Sequence, residues 1–238
     1  MSLTPIESPR TVRSAVRPAL PAFDMYGPIH KGLRHALARM LSRLGTAAPN
    51  EPGADPKLIH DLEELLDVCE SHLAHEDRFI HPAIERRRPG ATESLAVGHR
   101  EHEAAVAELR RLISALRAAP DQAPALRRLY LRFAAFVAEN LIHMAEEEEV
   151  TQPLLDELFT PEEQRAIQEE LVQSMSPDEA LASQRLMVPA VSRRERVAVL
   201  AGPRAGVSEE TFLMILSELR SALTDADWYE LIKDLGLE

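Results

Sequence analysis

The chain has 238 residues, 45% hydrophobic and 28% charged, with 4% aromatics and a formal net charge of −12. That acidity works against binding to nucleic acid or to anionic membrane surfaces, and no apolar run reaches the roughly 20 residues a membrane span needs. The single cysteine, Cys69, cannot form an internal disulfide, which fits a reducing compartment and sets the expectation of a cytoplasmic protein.

Residues 1–25 carry basic residues and prolines but no apolar signal core, and read as an extended N-terminal arm. From residue 26 to 158 the pattern is that of four long amphipathic helices. The first, about 27–45, places His30, Leu33, Leu37, Met40 and Leu44 on one face. The second, about 57–86, runs Leu58, Leu62, Leu65, Cys69, His72, Glu76, Phe79, Ala83, in alternating steps of four and three. His72 and Glu76 therefore stand where a leucine belongs. The third, about 92–118, carries His102, Ala105, Leu109, Leu112 and Leu116. The fourth runs Leu129, Phe133, Phe136, Asn140, His143, Glu147, Val150, Leu154, each 71 positions after its counterpart in the second. Pro82 and Pro153 also correspond, and are read as helix-ending.

The first 156 residues thus contain two copies of one unit, a His on one helix and His-x-x-x-Glu on the next. The link Thr46 to Pro56 is rich in turn formers, and Ala118 to Pro124 serves the second hairpin. Helix rise puts His30 and His72 each about 22 Å from their turn, so an antiparallel hairpin brings them to one level. The fold expected is all-α: an antiparallel up-and-down four-helix bundle with an additional C-terminal helical region, 159–238. That region contains no His or Cys and shows five helix-start signals, at Thr160, Ser176, Ser192, Ser208 and Thr224. Its apolar face of Phe212, Leu213, Leu216, Leu219 and Leu223 is expected to pack on the bundle, with a homodimer contact as the alternative.

His30, His72, Glu76, His102, His143 and Glu147 are the candidate metal ligands. Residues four apart share a helix face, so each His-x-x-x-Glu offers a nitrogen and a carboxylate together. Four imidazoles and two bridging carboxylates leave open positions on two metals, and suit iron, zinc or manganese. His99, on the same stripe as His102, is either a fifth imidazole or a residue lining the site. His75 and His81 read as partly exposed, His35 and His60 as surface residues, Cys69 as a core filler. Glu146, Glu148 and Glu149 read as a solvated face. The alternative without metal, a relic bundle that has lost its ions, leaves buried carboxylates unpaired at high cost.

These phrases resemble the hemerythrin family in its bacterial HHE cation-binding form: Ile29-His30-Lys31, His72-Leu-Ala-His-Glu76 with Phe79 and Pro82, His99-Arg-Glu-His102, and His143-Met-Ala-Glu-Glu147 with Pro153. The resemblance covers about residues 25–156. It implies a non-heme centre of two Fe ions, oxo- or hydroxo-bridged, with Zn or Mn as possible substitutes, and a small ligand such as O2, NO, azide or peroxide. The oxygen carriers of that family place two third-helix histidines four apart and end on an Asp five after its His. Here the spacings are three, and a Glu four after, which is closer to members that sense iron, oxygen, nitric oxide or redox state. A di-iron oxidase or peroxidase is the competing class, but ferritin-like oxidases use four Glu and two His, the reverse of this ratio. A third reading has the metal serve mainly stability.

Overall fold

The computed structural model describes residues 21–47 and 55–238. Residues 1–20 of the expected arm and residues 48–54 of the first link lie outside the described residues. Four long helices form the bundle. α1 is Gly27–Thr46, α2 Pro56–His75, α4 Glu93–Ala118 and α5 Gln122–Glu146. The short α3, His81–Arg87, and α6, Gln152–Leu158, prolong α2 and α5 respectively. α1 packs on α2, α2 on α4, α4 on α5 and α5 back on α1, which is the up-and-down ring. Asp55 and Asp121 start α2 and α5 by accepting the Lys57 and Ala123 N–H groups. The turn between α4 and α5 is short, and Pro124 sits inside the first turn of α5, where proline is tolerated.

The main core fills the bundle between the hairpin turns and the level of His72, with Leu62, Leu66, Leu109, Phe133 and Phe136 almost wholly buried. Each such side chain contributes about 1.5–3 kcal/mol relative to exposure. Cys69 belongs to this core, and burial pushes its thiol up to about 12, with the charge of Glu70 adding to it. It is a filler, as its stripe position indicates. A second, smaller cluster caps the opposite end, built on Met25, Tyr26, Ile80, Ile84, Leu155 and Phe159. Residues 21–25 thus lie against the bundle where they are described. The inward histidines and glutamates occupy the level between these two apolar layers.

Pro82 and Pro153 do not end their helices. The chain stays helical through a π turn placed just before each proline, Glu76–Ile80 and Glu147–Thr151. The His81 N–H reaches Glu76 O, and the Gln152 N–H reaches Glu147 O, each spanning five residues. A proline lacks the N–H for the regular bond and its ring crowds the carbonyl four residues back; a wider turn relieves both. The extra residue rotates everything downstream. Ile80 and Ile84 are buried while Phe79 is half-buried, and Thr151 and Leu155 are buried while Val150 is 60% exposed. The expected stripe of Phe79, Val150 and Leu154 is therefore displaced by one position in both copies.

Beyond Phe159 come α7 Pro161–Ser174, α8 Pro177–Met187, α9 Arg193–Gly206, α10 Glu209–Leu219 and α11 Asp225–Leu235. Their N-caps are Thr160, Ser176, Ser192, Ser208 and Thr224, and the first three form capping boxes. The apolar face of α10 does not pack on the bundle as expected. Phe212, Leu216, Leu219 and Leu223 join Leu200, Leu231 and Leu235 in a separate core, which leaves Leu213 at 47% exposure. This unit docks through α8 on α1 and α2. A Cβ at Gly32 would stand 2.9 Å from the Leu186 Cγ and 3.0 Å from its carbonyl oxygen, so glycine permits the close approach of α8. Lys31 pairs with Glu195, and Ser71 donates to Glu179 at 3.3 Å. Among the described residues, no helix is long and apolar enough to cross a membrane.

Candidate metal centre

Four helices converge on one level. α1 supplies His30, α2 His72, α4 His99 and His102, and α5 His143; Glu76 and Glu147 open the two π turns. Both glutamates are essentially inaccessible, at 1% and 0% exposure. Each lies one regular helical turn after its own helix's histidine, its N–H bonded to the carbonyl of His72 or His143.

The donors fall into two groups that share both carboxylates. In the first, His30, His72, Glu76 and Glu147 bring one donor atom each within 4.8 Å of one another; in the second, Glu76, His99, His143 and Glu147 do so. His30 Nε2 lies 3.2 Å from Glu147 Oε2 and His72 Nε2 3.3 Å from Glu76 Oε1. His143 Nε2 lies 3.1 Å from Glu147 Oε1. His99 Nε2 lies 3.4 Å from Glu76 Oε2 and 3.7 Å from Glu147 Oε1. His102 stands beside these groups rather than within either: its ring is 4.8 Å from that of His143 and 6.1 Å from Phe136. The structure thus brings together five of the six sequence candidates, with His99 in the second group and His102 adjacent.

Despite this crowding, Nε2 of His30, His72, His99, His102 and His143, and all four oxygens of Glu76 and Glu147, have no hydrogen-bond partner among the described residues. Buried polar atoms are rarely left so. Two ligands about 2.1 Å from one cation and 90–109° apart are about 3.0–3.4 Å from each other. Four of the five nitrogen–oxygen separations, 3.1–3.4 Å, match that edge length, and each of the four inner histidines makes one of them, so the residues present fit a pair of cations.

The outer sides of the His30, His99 and His102 rings are tied down. His30 Nδ1 is 2.9 Å from Glu148 Oε1, and Arg34 grips the same carboxylate at 2.6 and 3.0 Å. His99 Nδ1 and His81 Nδ1 both stand 2.9 Å from Asp77 Oδ1. His102 Nδ1 is 2.9 Å from Gly98 O. An Nδ1 hydrogen given outward leaves the Nε2 lone pair facing inward, the tautomer a metal requires. Glu148 is therefore part of the site and not a solvated face, and His81 is buried at 5% exposure and not partly exposed. Asp77, Glu148, Arg34 and Tyr26 were missed by the pattern reading. The sequence did hold a signal for two of them: Asp77 and Glu148 each follow a glutamate of the repeat, 71 positions apart. His35 and His60 are exposed, as expected.

The charges are divided unequally. Burial, then the charge of Glu147, raises the Glu76 carboxyl well above the ordinary value. Glu147 is also penalised by burial, but His143, His30 and His99 converge on it and hold it well below that value. Burial and the nearby His30 lower His72 to about 3, so it is neutral. Burial alone would lower His30 too, yet Glu147 and Glu148 outweigh it and leave it raised. Burial works against Glu148 as well, but His30 and Arg34 bring it to about 2. Burial, then the charges of Glu76 and Glu147, raises the Tyr26 phenol.

Fold and donor set together define a cation-binding helical bundle. The model of the hemerythrin HHE cation-binding domain matches residues 24–172, and the chain belongs to that family. The match reaches past the four long helices and takes in most of α7, which packs on the first π turn and is paired to the end of α3 through Glu163 and Arg87. No curated protein and no solved structure matches the chain.

Proposed function

We propose that this protein holds two iron ions between His30 and His72 on one side and His99 and His143 on the other, with Glu76 and Glu147 spanning both, and that it takes up a small ligand there. The observation that carries this reading is the pair of four-donor groups sharing two buried carboxylates that have no other partner. His102 supplies a further inward lone pair next to His143. An iron pair so held would supply exchangeable positions for dioxygen, nitric oxide, azide or peroxide. Neutral imidazoles outnumber carboxylates in the set, which favours ligand binding or sensing over oxidase chemistry that needs an anionic cage. The apolar cap of Tyr26, Ile80 and Leu155 keeps bulk water off one side of the level, and the main core keeps it off the other. The overall negative charge leaves nucleic acid and anionic membranes aside as partners.

The test is to purify the protein from iron-supplemented cells, count metal per chain, and record absorption before and after azide. Two irons per chain with a ligand-sensitive visible spectrum, lost in Glu147→Ala and His72→Ala, is the expected result. Metal at trace level in a folded protein would overturn the reading.

A further inference from the structure

The unpartnered atoms of this level are of two kinds. Ring nitrogens and carboxylate oxygens supply lone pairs, which a cation would take up. Tyr26 is different: its Oη is the one buried hydroxyl without a partner among the described residues. A phenol at neutral pH carries a hydrogen to donate, and the lone pairs of Glu76 and Glu147 do not accept it here.

The segment that carries Tyr26 is built to hold it in place. Asp24 Oδ1 accepts the Tyr26 N–H at 3.3 Å and the Gly27 N–H at 2.7 Å. A Cβ at Gly27 would fall 2.1 Å from Asp24 Oδ2, so this turn is fitted to glycine. Gln152, the residue that closes the second π turn, accepts the Met25 N–H at 3.0 Å and donates to Phe23 O at 2.9 Å. The phenol ring lies against the His30 ring, 5.1 Å between centroids, and His30 in turn meets His72 edge-on at 5.3 Å. Tyr26 thus stands at the His30–His72 side of the level, 1% exposed, with its hydrogen uncommitted.

Resting on the cation reading above, we propose that Tyr26 donates a hydrogen bond to the small ligand taken up at the site, and so favours anionic ligands with accessible lone pairs over neutral diatomics. The acceptor that the protein itself does not provide is provided by the incoming ligand.

The experiment compares azide dissociation constants of the oxidised, iron-loaded wild-type protein and Tyr26→Phe, which keeps the ring and its contact with His30. Weakening of about tenfold or more is expected, the usual size of a hydrogen bond to a charged group. Iron content and nitric oxide binding by the reduced protein stay unchanged. The wild-type azide stretch in the infrared should shift between H2O and D2O, a reading that does not depend on the variant folding. Equal azide affinities with equal iron content, or an azide stretch indifferent to D2O, overturn the proposal and leave the cation reading intact. A phenolate-to-iron visible band in the wild type that Tyr26→Phe abolishes also overturns it, since Tyr26 is then itself a ligand. Wild-type protein that takes up no iron overturns both readings.

Discussion

The unequal treatment of the two buried glutamates can be tested without any metal. In chelator-treated protein, burial and then the charge of Glu147 raise the Glu76 carboxyl and favour its protonated form. A glutamine there keeps the shape and the lack of charge, and the expected stability change is under about 1 kcal/mol. Glu147 is the anion of the pair and meets three imidazoles, at 3.1, 3.2 and 3.7 Å. Glu147→Gln removes the carboxylate that His30 and His99 face, and the pKa values of both rings are raised. Removing one partner of a buried pair costs about 3–5 kcal/mol. The lower end applies, because Glu148 and Asp77 still face those rings from outside. At about 2–4 °C per kcal/mol for a chain of this size, Glu147→Gln should melt about 6–12 °C lower. Thermal unfolding followed by circular dichroism reads this directly. Equal losses for the two variants, or a larger loss for Glu76→Gln, would refute the assignment of the proton to Glu76. With cations supplied, both variants should lose occupancy, because both carboxylates belong to both donor groups.

Asp77→Ala should lower cation affinity about 10–100-fold, as loss of a ligand's outer partner commonly does, while circular dichroism stays native; unchanged affinity in a competition titration would remove Asp77 from the site. His72, with a folded pKa of about 3 against 6.5 for the free group, makes the cation-free protein lose stability as pH falls through that window. The unfolded chain binds the extra proton there, giving a slope of up to about 1.4 kcal/mol per pH unit. His72→Gln should flatten the stability profile between pH 6.5 and 3, and a profile identical to wild type would contradict the burial described. Gly32→Ala gains about 1 kcal/mol of helix propensity but drives a methyl into Leu186. A net loss of about 1–2 kcal/mol is expected, together with faster proteolysis of the C-terminal helices, and a net gain would show that α8 is not closely docked.

Much of this was legible because a bundle helix writes its inward face as a 3.5-residue stripe, and two polar residues on that stripe are hard to miss. The repeat placed His72 with His143 and Glu76 with Glu147, and capping chemistry located every helix start after Phe159. The π turns were not legible. A wide turn changes no residue type; it changes the phase of everything after it, so Phe79 and Val150 read as inward on a pattern that the backbone had already broken. Prolines 82 and 153 were noticed for the right reason, but the chain answers the missing N–H by widening rather than stopping. Glu148 and Asp77 were hidden because an acid next to an acid looks like a solvated run; what sets them apart is a ring nitrogen on a different helix. The repeat matched His30 with His102; the second four-donor group contains His99, three residues nearer the start of α4 and also named from the sequence, with His102 beside it. Tyr26 fell at the edge of a segment read as an arm, where no periodicity marks it.

The sharing of both carboxylates between the donor groups has a mechanical consequence. The hairpin of α1 and α2 supplies His30, His72 and Glu76; the hairpin of α4 and α5 supplies His99, His143 and Glu147. Neither hairpin holds a complete group, so bound cations act as rivets through the seam between two otherwise self-contained halves. Removing them loosens the seam before it loosens any helix, and hydrogen exchange after chelation should rise first along the α1–α5 and α2–α4 boundaries. The C-terminal unit rides on the α1–α2 half, through α8. Cation occupancy is therefore mechanically linked to how firmly the half that carries the C-terminal unit is held to α4 and α5.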